Sequence, residues 1–192
     1  LLSAGALTLE KMAGWRSEHW AAHPESVFSA NFDLQDDRYA NNAALTAFLD
    51  GVLADVRAIP GVQSAGLTTR VVTGAHSVDL RLGGTAQRPR VWLESVSPEF
   101  FETLQARLLQ GRDLLAADAA GAAPVAVVNR SFAEKFWPGQ NPIGRAIPYA
   151  EGAAERSCSI VGIVEDLHMR PANSEGSDAG FYIPFAQAPE AM

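Results

Sequence analysis

Few residues in this chain have the types and spacing that chemistry needs. His19 and His23 stand four apart, beside Glu18. On a helix that spacing puts two imidazoles on one face, where a metal ion could use them. Pro24 follows directly and pushes His23 out of the α region, which spoils the shared face. Two ligands also make neither a closed nor a catalytic site, so two solvated histidines at a frayed helix end account for the same residues. Asp166 and His168 lie two apart at the end of an expected strand, where they share a face. Such a pair could activate a nucleophile, with Ser157, Cys158 or Ser159 as candidates. A polar loop start is the simpler reading. Cys158, inside an apolar strand, reads as a small core residue rather than a reactive thiol.

Trp92, Phe136 and Trp137 could line a ligand groove, with Tyr182 as a further wall, but aromatics at helix and strand spacing more often belong to the core. Arg112 and Asp113 follow Gly111, and a local salt bridge across a turn is the default expectation over an anion site. The chain has no G-x-x-x-x-G-K-[ST] phosphate loop, no G-x-S-x-G elbow, no H-E-x-x-H pair and no kinase signature. No catalytic, cofactor-binding or metal-ligating residue is therefore assigned, and the chain is not expected to be an enzyme.

Composition narrows the classes further. With 15 basic and 22 acidic residues the net charge is -7, and only Lys11 and Lys135 are lysines. Nucleic acid or an anionic membrane surface would require a basic stripe, which is missing. A single cysteine rules out an intrachain disulfide and a cysteine-based zinc site. Apolar residues make up 47% of the 192, as a folded chain requires. No window reaches the 18 or so apolar residues of a membrane-spanning helix. The uncharged run Leu1–Leu9 is too short, although it could be the tail of a longer apolar helix.

The elements that must position these residues are read from periodicity. A weakly amphipathic helix is expected from Leu1 to about Ala22, ended by His23-Pro24. Val27 to Leu34 alternates as a strand. Tyr39 to Ile59 is the best helix, with Leu45, Phe48, Leu49, Val52, Val56 and Ile59 on one stripe. Pro60-Gly61 stops it, and Val62 to Val72 reads as a second strand, so a βαβ unit with parallel strands is expected. Val78–Leu82 and Arg90–Val96 form a hairpin around Gly83-Gly84. Ser97-Pro98-Glu99 has the chemistry of a helix start, predicting a helix to Gln105 or Arg107 that buries Phe101, Leu104 and Leu108. Asp113 to Ala123 is loop-like, and Pro124–Val128 is a buried strand. Asn129 caps a short helix bearing Phe132 and Phe136, closed by Trp137-Pro138-Gly139. A turn at Asn141–Gly144 leads to a strand at Arg145–Ile147. Glu151–Glu155 is a loop, Ser157–Asp166 a strand, and Phe181–Ile183 the last strand. The fold class is α+β.

Several stretches taken in order carry more information than any one of them. They are Val96–Leu104, Leu108–Asp113, Pro124–Asn129, Phe132-Ala133, Phe136–Gly139, Asn141–Arg145, Ile160–Val164 and Phe181–Pro184, with the Ile59–Val62 junction before them. In this order and spacing the chain resembles the MacB-like periplasmic core domain of FtsX-like ABC transporter permeases, over about residues 27 to 187. The resemblance implies a porter-like βαβ unit plus an inserted mixed α/β subdomain of the Sabre type. It would divide the chain into a membrane-proximal helix at 1–26, the end of a transmembrane helix, a porter-like part at 27–75, and a Sabre-like part with return strand at 76–192. It also implies a segment on the periplasmic side of a bacterial inner membrane that couples ATP hydrolysis on a cytoplasmic partner chain to periplasmic work, efflux or lipoprotein-type transport. The implied partners are that ATPase subunit, a second permease copy, and a periplasmic protein or hydrophobic substrate. An extracytoplasmic ligand-binding or sensing module is the alternative.

Overall fold

Alternation in the second half of the chain builds a sheet whose pairings return on themselves. The computed structural model describes residues 8–11, 26–31, 42–69, 76–82, 88–170 and 176–187. In chain order the elements are β1 (Thr8–Lys11), β2 (Phe28–Asn31), α1 (Asn42–Arg57), β3 (His76–Leu80), β4 (Arg90–Val96), α2 (Phe100–Thr103), β5 (Leu108–Gly111), β6 (Val125–Asn129), α3 (Arg130–Phe136), β7 (Ala146–Glu151), β8 (Ala154–Val164) and β9 (Gly180–Pro184). The large sheet runs β5-β8-β6-β9-β4-β3-β7, and β7 pairs again with β8. Six strands therefore close a ring, β8-β6-β9-β4-β3-β7-β8. One edge of the long β8 pairs with β6, and the other is shared between β7 near its start and β5 near its end.

Every strand of the ring sends alternate residues into one interior. Val78 and Leu80, Val91 and Leu93, Ala126 and Val128, Ile147 and Tyr149, Cys158 and Ile160, and Phe181 and Ile183 form a single cluster. Phe132 of α3 joins it, fully buried, with its ring 4.8 Å from Phe136, 5.9 Å from Trp137 and 5.9 Å from Phe181. Asn129 starts α3 as expected: its Oδ1 accepts from the Phe132 N–H at 2.9 Å. The intervening residues of the central strands are buried too. Val96, Val125, Val127, Val164 and Tyr182 pack on the opposite face under Phe101, Leu104, Leu114, Leu167 and Met169. A strand covered on both faces reads as a near-continuous apolar run, and β6, buried at all five positions, is apolar up to the capping Asn129. Each fully buried aliphatic or aromatic side chain contributes about 1.5–3 kcal/mol.

Glycines let β5 approach β8. A Cβ on Gly162 would collide with the Arg112 carbonyl, and one on Gly111 (φ +78°) with the Val161 carbonyl.

Four expectations are corrected. Thr8–Lys11 is a strand paired antiparallel with β2, not a helix; a weakly amphipathic segment with β-branched Thr8 gains more from pairing with another strand than from an apolar stripe it lacks. Residues 62–69 form no regular strand. They touch the sheet through one antiparallel bridge, Thr68 to Val96, so among the described residues the parallel βαβ pairing is not formed. Thr68 and Thr69 instead turn their hydroxyls to Glu94, as set out below. The helix after Pro98 is only α2, because Gln105 takes a positive φ of 54° and breaks it, and Leu108 stands 41% exposed in β5 rather than buried. Ser97 does not cap it: its Oγ accepts from the Leu67 N–H at 2.9 Å. Finally, Glu151–Glu155 is a tight hairpin turn at Gly152 (φ +58°), with β8 resuming at Ala154. The remaining expected elements within the described residues are present, α1 and the β3–β4 hairpin among them.

Candidate functional site

The expected catalytic pair is used for structure. Asp166 Oδ1 accepts from the Ser131 N–H at 2.9 Å and so helps satisfy the first turn of α3. Ser157, Cys158 and Ser159 sit in the part of β8 that pairs with β7, and the rise of a strand, about 3.3 Å per residue, puts Cys158 roughly 20 Å from Val164. No described nucleophile of that set can meet the Asp166–His168 pair. Cys158 is buried, and burial pushes its thiol up to about 12, so it holds no thiolate at neutral pH. His19, His23 and Glu18 lie outside the described residues. Among the described residues no group of three or more His, Cys, Asp or Glu is placed to hold a metal ion.

The aromatic candidates divide between the two faces of the sheet, Phe136 with Trp137 on one and Trp92 with Tyr182 on the other. Trp137 packs against the ring interior beside Phe136, with the Arg145 guanidinium 5.7 Å from its ring centre. Trp92 belongs to the opposite face and donates from Nε1 to the Ser177 carbonyl at 3.2 Å. Tyr182 is buried on that same opposite face, edge-on to Phe101 at 4.9 Å. Arg112 pairs with Asp118 and not with the Asp113 carboxylate: two bonds of 2.7 and 2.9 Å make a bidentate fork, while Asp113 offers only its backbone carbonyl. The fork needs two coplanar oxygens facing the guanidinium, which Asp118, six residues on across the 112–118 turn, can present. It also holds the Asp118 carboxyl below its ordinary range, and Asp118 in turn accepts from the Leu115 N–H.

Two features were not anticipated. The first is a seam that fastens residues 64–69 to the sheet. Glu94, 5% exposed, accepts from the Thr68 and Thr69 hydroxyls, each at 2.6 Å. Ser97 N–H donates to the Leu67 carbonyl, Thr69 N–H donates to the Ser95 carbonyl, and the Ser64 and Thr103 hydroxyls lie 2.8 Å apart. Arg57 closes the upper end, 2.9 Å from Glu99 and donating to the Ala65 carbonyl. The alternation Val-Trp-Leu-Glu-Ser-Val does carry a signal for this seam, since a glutamate in a buried register demands donors. Nearby, the Tyr182 hydroxyl and Asp178 Oδ2 are buried with no hydrogen-bond partner among the described residues. Burial raises the Tyr182 hydroxyl well above its ordinary range, and the charges of Asp178, Glu94 and Asp166 add to it.

The second feature is a groove of about 390 Å³ between α1 and the segments at 97–99, 115–119 and 184–186. Leu49, Leu53, Leu67, Pro98, Leu115 and Phe185 supply apolar walls, with Asp50, Arg57, Glu99 and Asp118 among the charged ones. Its size is that of a ligand or side-chain pocket.

Comparison with known proteins gives this arrangement a lineage. The macrolide export ATP-binding/permease protein MacB of Mannheimia succiniciproducens is 26% identical over 115 residues, which is 60% of this chain and 17% of that protein. The crystal structure of the periplasmic region of MacB from Actinobacillus actinomycetemcomitans superposes with a TM-score of 0.52 at 18% identity, covering 72% of this chain and 56% of that one. The extracellular domain of the noncanonic ABC-type transporter YknZ from Gram-positive bacteria gives a TM-score of 0.47 at 15% identity, over 71% and 62% of the two chains. The chain thus spans about a sixth of the curated relative and a little over half of the solved periplasmic region. The family description "MacB-like periplasmic core domain" matches residues 21–192, and with nearly the whole sequence covered, the chain belongs to that family.

Proposed function

We propose that this domain is the extracytoplasmic part of an ABC transporter permease subunit, and that it passes conformational change driven by a cytoplasmic ATPase partner to work on the periplasmic side of a bacterial inner membrane. Family membership over residues 21–192 is the observation that carries this reading. The efflux or lipoprotein-type nature of the transport, a second permease copy and a periplasmic protein or hydrophobic substrate belong to the same proposal, as does a non-enzymatic role. So does the division into a membrane-proximal segment at 1–26, a porter-like part at 27–75 and a Sabre-like part at 76–192.

The physical content of coupling is differential contact. The domain must be held in two arrangements, each favoured by a different nucleotide state of the partner. A ring packed on both faces supplies a stiff body, and the seam through Glu94, Ser97 and Arg57 supplies a boundary of hydrogen bonds and one ion pair along which a second arrangement is attainable. Deleting residues 76–180 from the full-length permease tests the role. The expected outcome is loss of transport with membrane insertion preserved, and normal transport by the inserted deletion would refute it. Among the described residues no helix is long and apolar enough to cross a membrane. For the ligand-binding alternative, the expected aromatics fall on two faces, Trp137 against the ring interior and Trp92 with the buried Tyr182 on the other.

A further inference from the structure

The polar cluster beyond the end of β8 has no task in the account above. Residues 166–170 follow β8 without regular structure and form a strap against the sheet. Leu167 and Met169 are buried in the same cluster as Tyr182. A Cβ on Gly180 would collide with the Met169 sulfur and the Trp92 carbonyl, so the strap lies hard against the start of β9. Carboxylates tie both of its ends. Asp166 Oδ1 accepts from the Ser131 N–H at 2.9 Å, and Asp178 Oδ1 accepts from the Arg170 N–H at 2.8 Å. Asp178 is itself anchored, because Asn129 Nδ2 donates to its carbonyl at 2.7 Å. Its second carboxylate oxygen, Oδ2, is buried without a hydrogen-bond partner among the described residues, as is the Tyr182 hydroxyl.

An ionised oxygen out of water with no donor is costly, and a proton relieves that cost. Burial is the largest influence on the Asp178 carboxyl and lifts it above its ordinary range. The Arg170 N–H and the charges of His168 and Arg170 pull it back, while the Asp166 charge adds to the rise. On β9, Tyr182 is held as a neutral hydroxyl by its burial and by the charges of Asp178, Glu94 of β4 and Asp166. Asn129 of β6 is neutral. We propose that residues 166–170 are an acid-tightened strap, closed on β9 while Asp178 is protonated and released at the Arg170 end when Asp178 ionises. His168, exposed and at φ +50°, is the turn about which that end swings, and the Asp166 end stays tied to α3. Release lets water reach Oδ2. Because the closed strap raises the carboxyl, its hold is complete below the ordinary carboxylate range and is lost as pH rises through the raised value. The device stands on this cluster and needs no particular coupling role.

Amide hydrogen exchange on this chain from about pH 4 to about pH 8, corrected for intrinsic rates, tests the strap. The Arg170 N–H is expected to lose protection at least about threefold as pH rises, while β6 amides keep theirs. Asp178→Asn keeps an oxygen for that N–H and cannot ionise, so protection there should stay level across the range. His168→Asn changes an exposed side chain to one that accepts the same backbone conformation. It removes a cation that favours ionised Asp178, so the loss of protection should extend to higher pH. In the wild-type chain, the Asp178 carboxyl carbon followed by NMR should titrate above the ordinary carboxylate range. Level protection in the wild type, the same pH dependence in Asp178→Asn, or a loss shared by β6 and β8 would overturn the proposal. So would an Asp178 carboxyl that titrates in the ordinary range.

Discussion

The closed ring of β3, β4 and β6–β9 and the α1 side of the molecule are held together by different physics. In the ring, Leu80, Leu93, Val127, Val128, Phe132, Ile147 and Phe181 are wholly out of water, and neighbouring strands bury both faces. The α1 side buries Leu45, Leu49 and Leu53 more modestly, at 5–6% exposure, and meets its neighbours across an open groove and a polar seam. Apolar packing is strong and tolerates no displacement, because a void forfeits its contacts. Each seam hydrogen bond contributes only about 0.5–1.5 kcal/mol net, but it is directional and can be exchanged for another. Stiffness on one side and exchangeable contacts on the other are what a domain needs if it is to move as two parts.

The largest expected effect breaks the ring itself. Phe132→Ala or Phe181→Ala should cost about 3–5 kcal/mol, read from urea unfolding. Gly162→Ala should cost a comparable amount, because its Cβ meets the Arg112 carbonyl of the adjoining chain rather than a movable side-chain tip. Thr68→Val with Thr69→Val removes both hydroxyl donors from buried Glu94 and should cost about 1–3 kcal/mol. Its hydrogen-exchange signature separates the two regions: α1 amides should lose protection while β6 and β8 keep theirs.

These contrasts also explain how much could be read in the residues alone. β6, the β3–β4 hairpin and the Asn129 cap were legible because strict periodicity and a capping side chain act locally. The α2 helix ended early because Gln105 adopts a left-handed conformation, which helix propensity does not forecast. The strand expected over residues 62–72 is right in composition, yet residues 62–69 are fixed by Glu94 and Ser97, about 30 residues away in sequence, so their register is a tertiary choice. The same limit hid the Arg112–Asp118 fork. Adjacent charge suggested Asp113, but turn geometry delivered Asp118.

Smaller effects sharpen the comparison. Asp118→Asn should cost about 1–2 kcal/mol at pH 7, since it breaks a charge-assisted fork at a 10% exposed carboxylate. Because Arg112 lowers the Asp118 carboxyl in the folded state, that stability is present above the ordinary carboxylate range and is lost as pH falls through the lowered value. Wild type and variant should therefore converge in strongly acidic urea titrations. The smallest effect is a silence: Cys158 should not react with a disulfide reagent at pH 8 until urea opens the ring, and its modification should then track global unfolding, not α1 opening.

The central claim, that the α1 side moves against the ring to transmit work, is tested most directly by locking the seam. The Ser64 and Thr103 hydroxyls are 2.8 Å apart, so Ser64→Cys with Thr103→Cys places two thiols within disulfide reach, and Cys158 is too buried to interfere. In the full-length permease, oxidation of this pair should abolish transport at unchanged membrane level, and reduction should restore it. Undiminished transport by the fully oxidised pair would contradict the account.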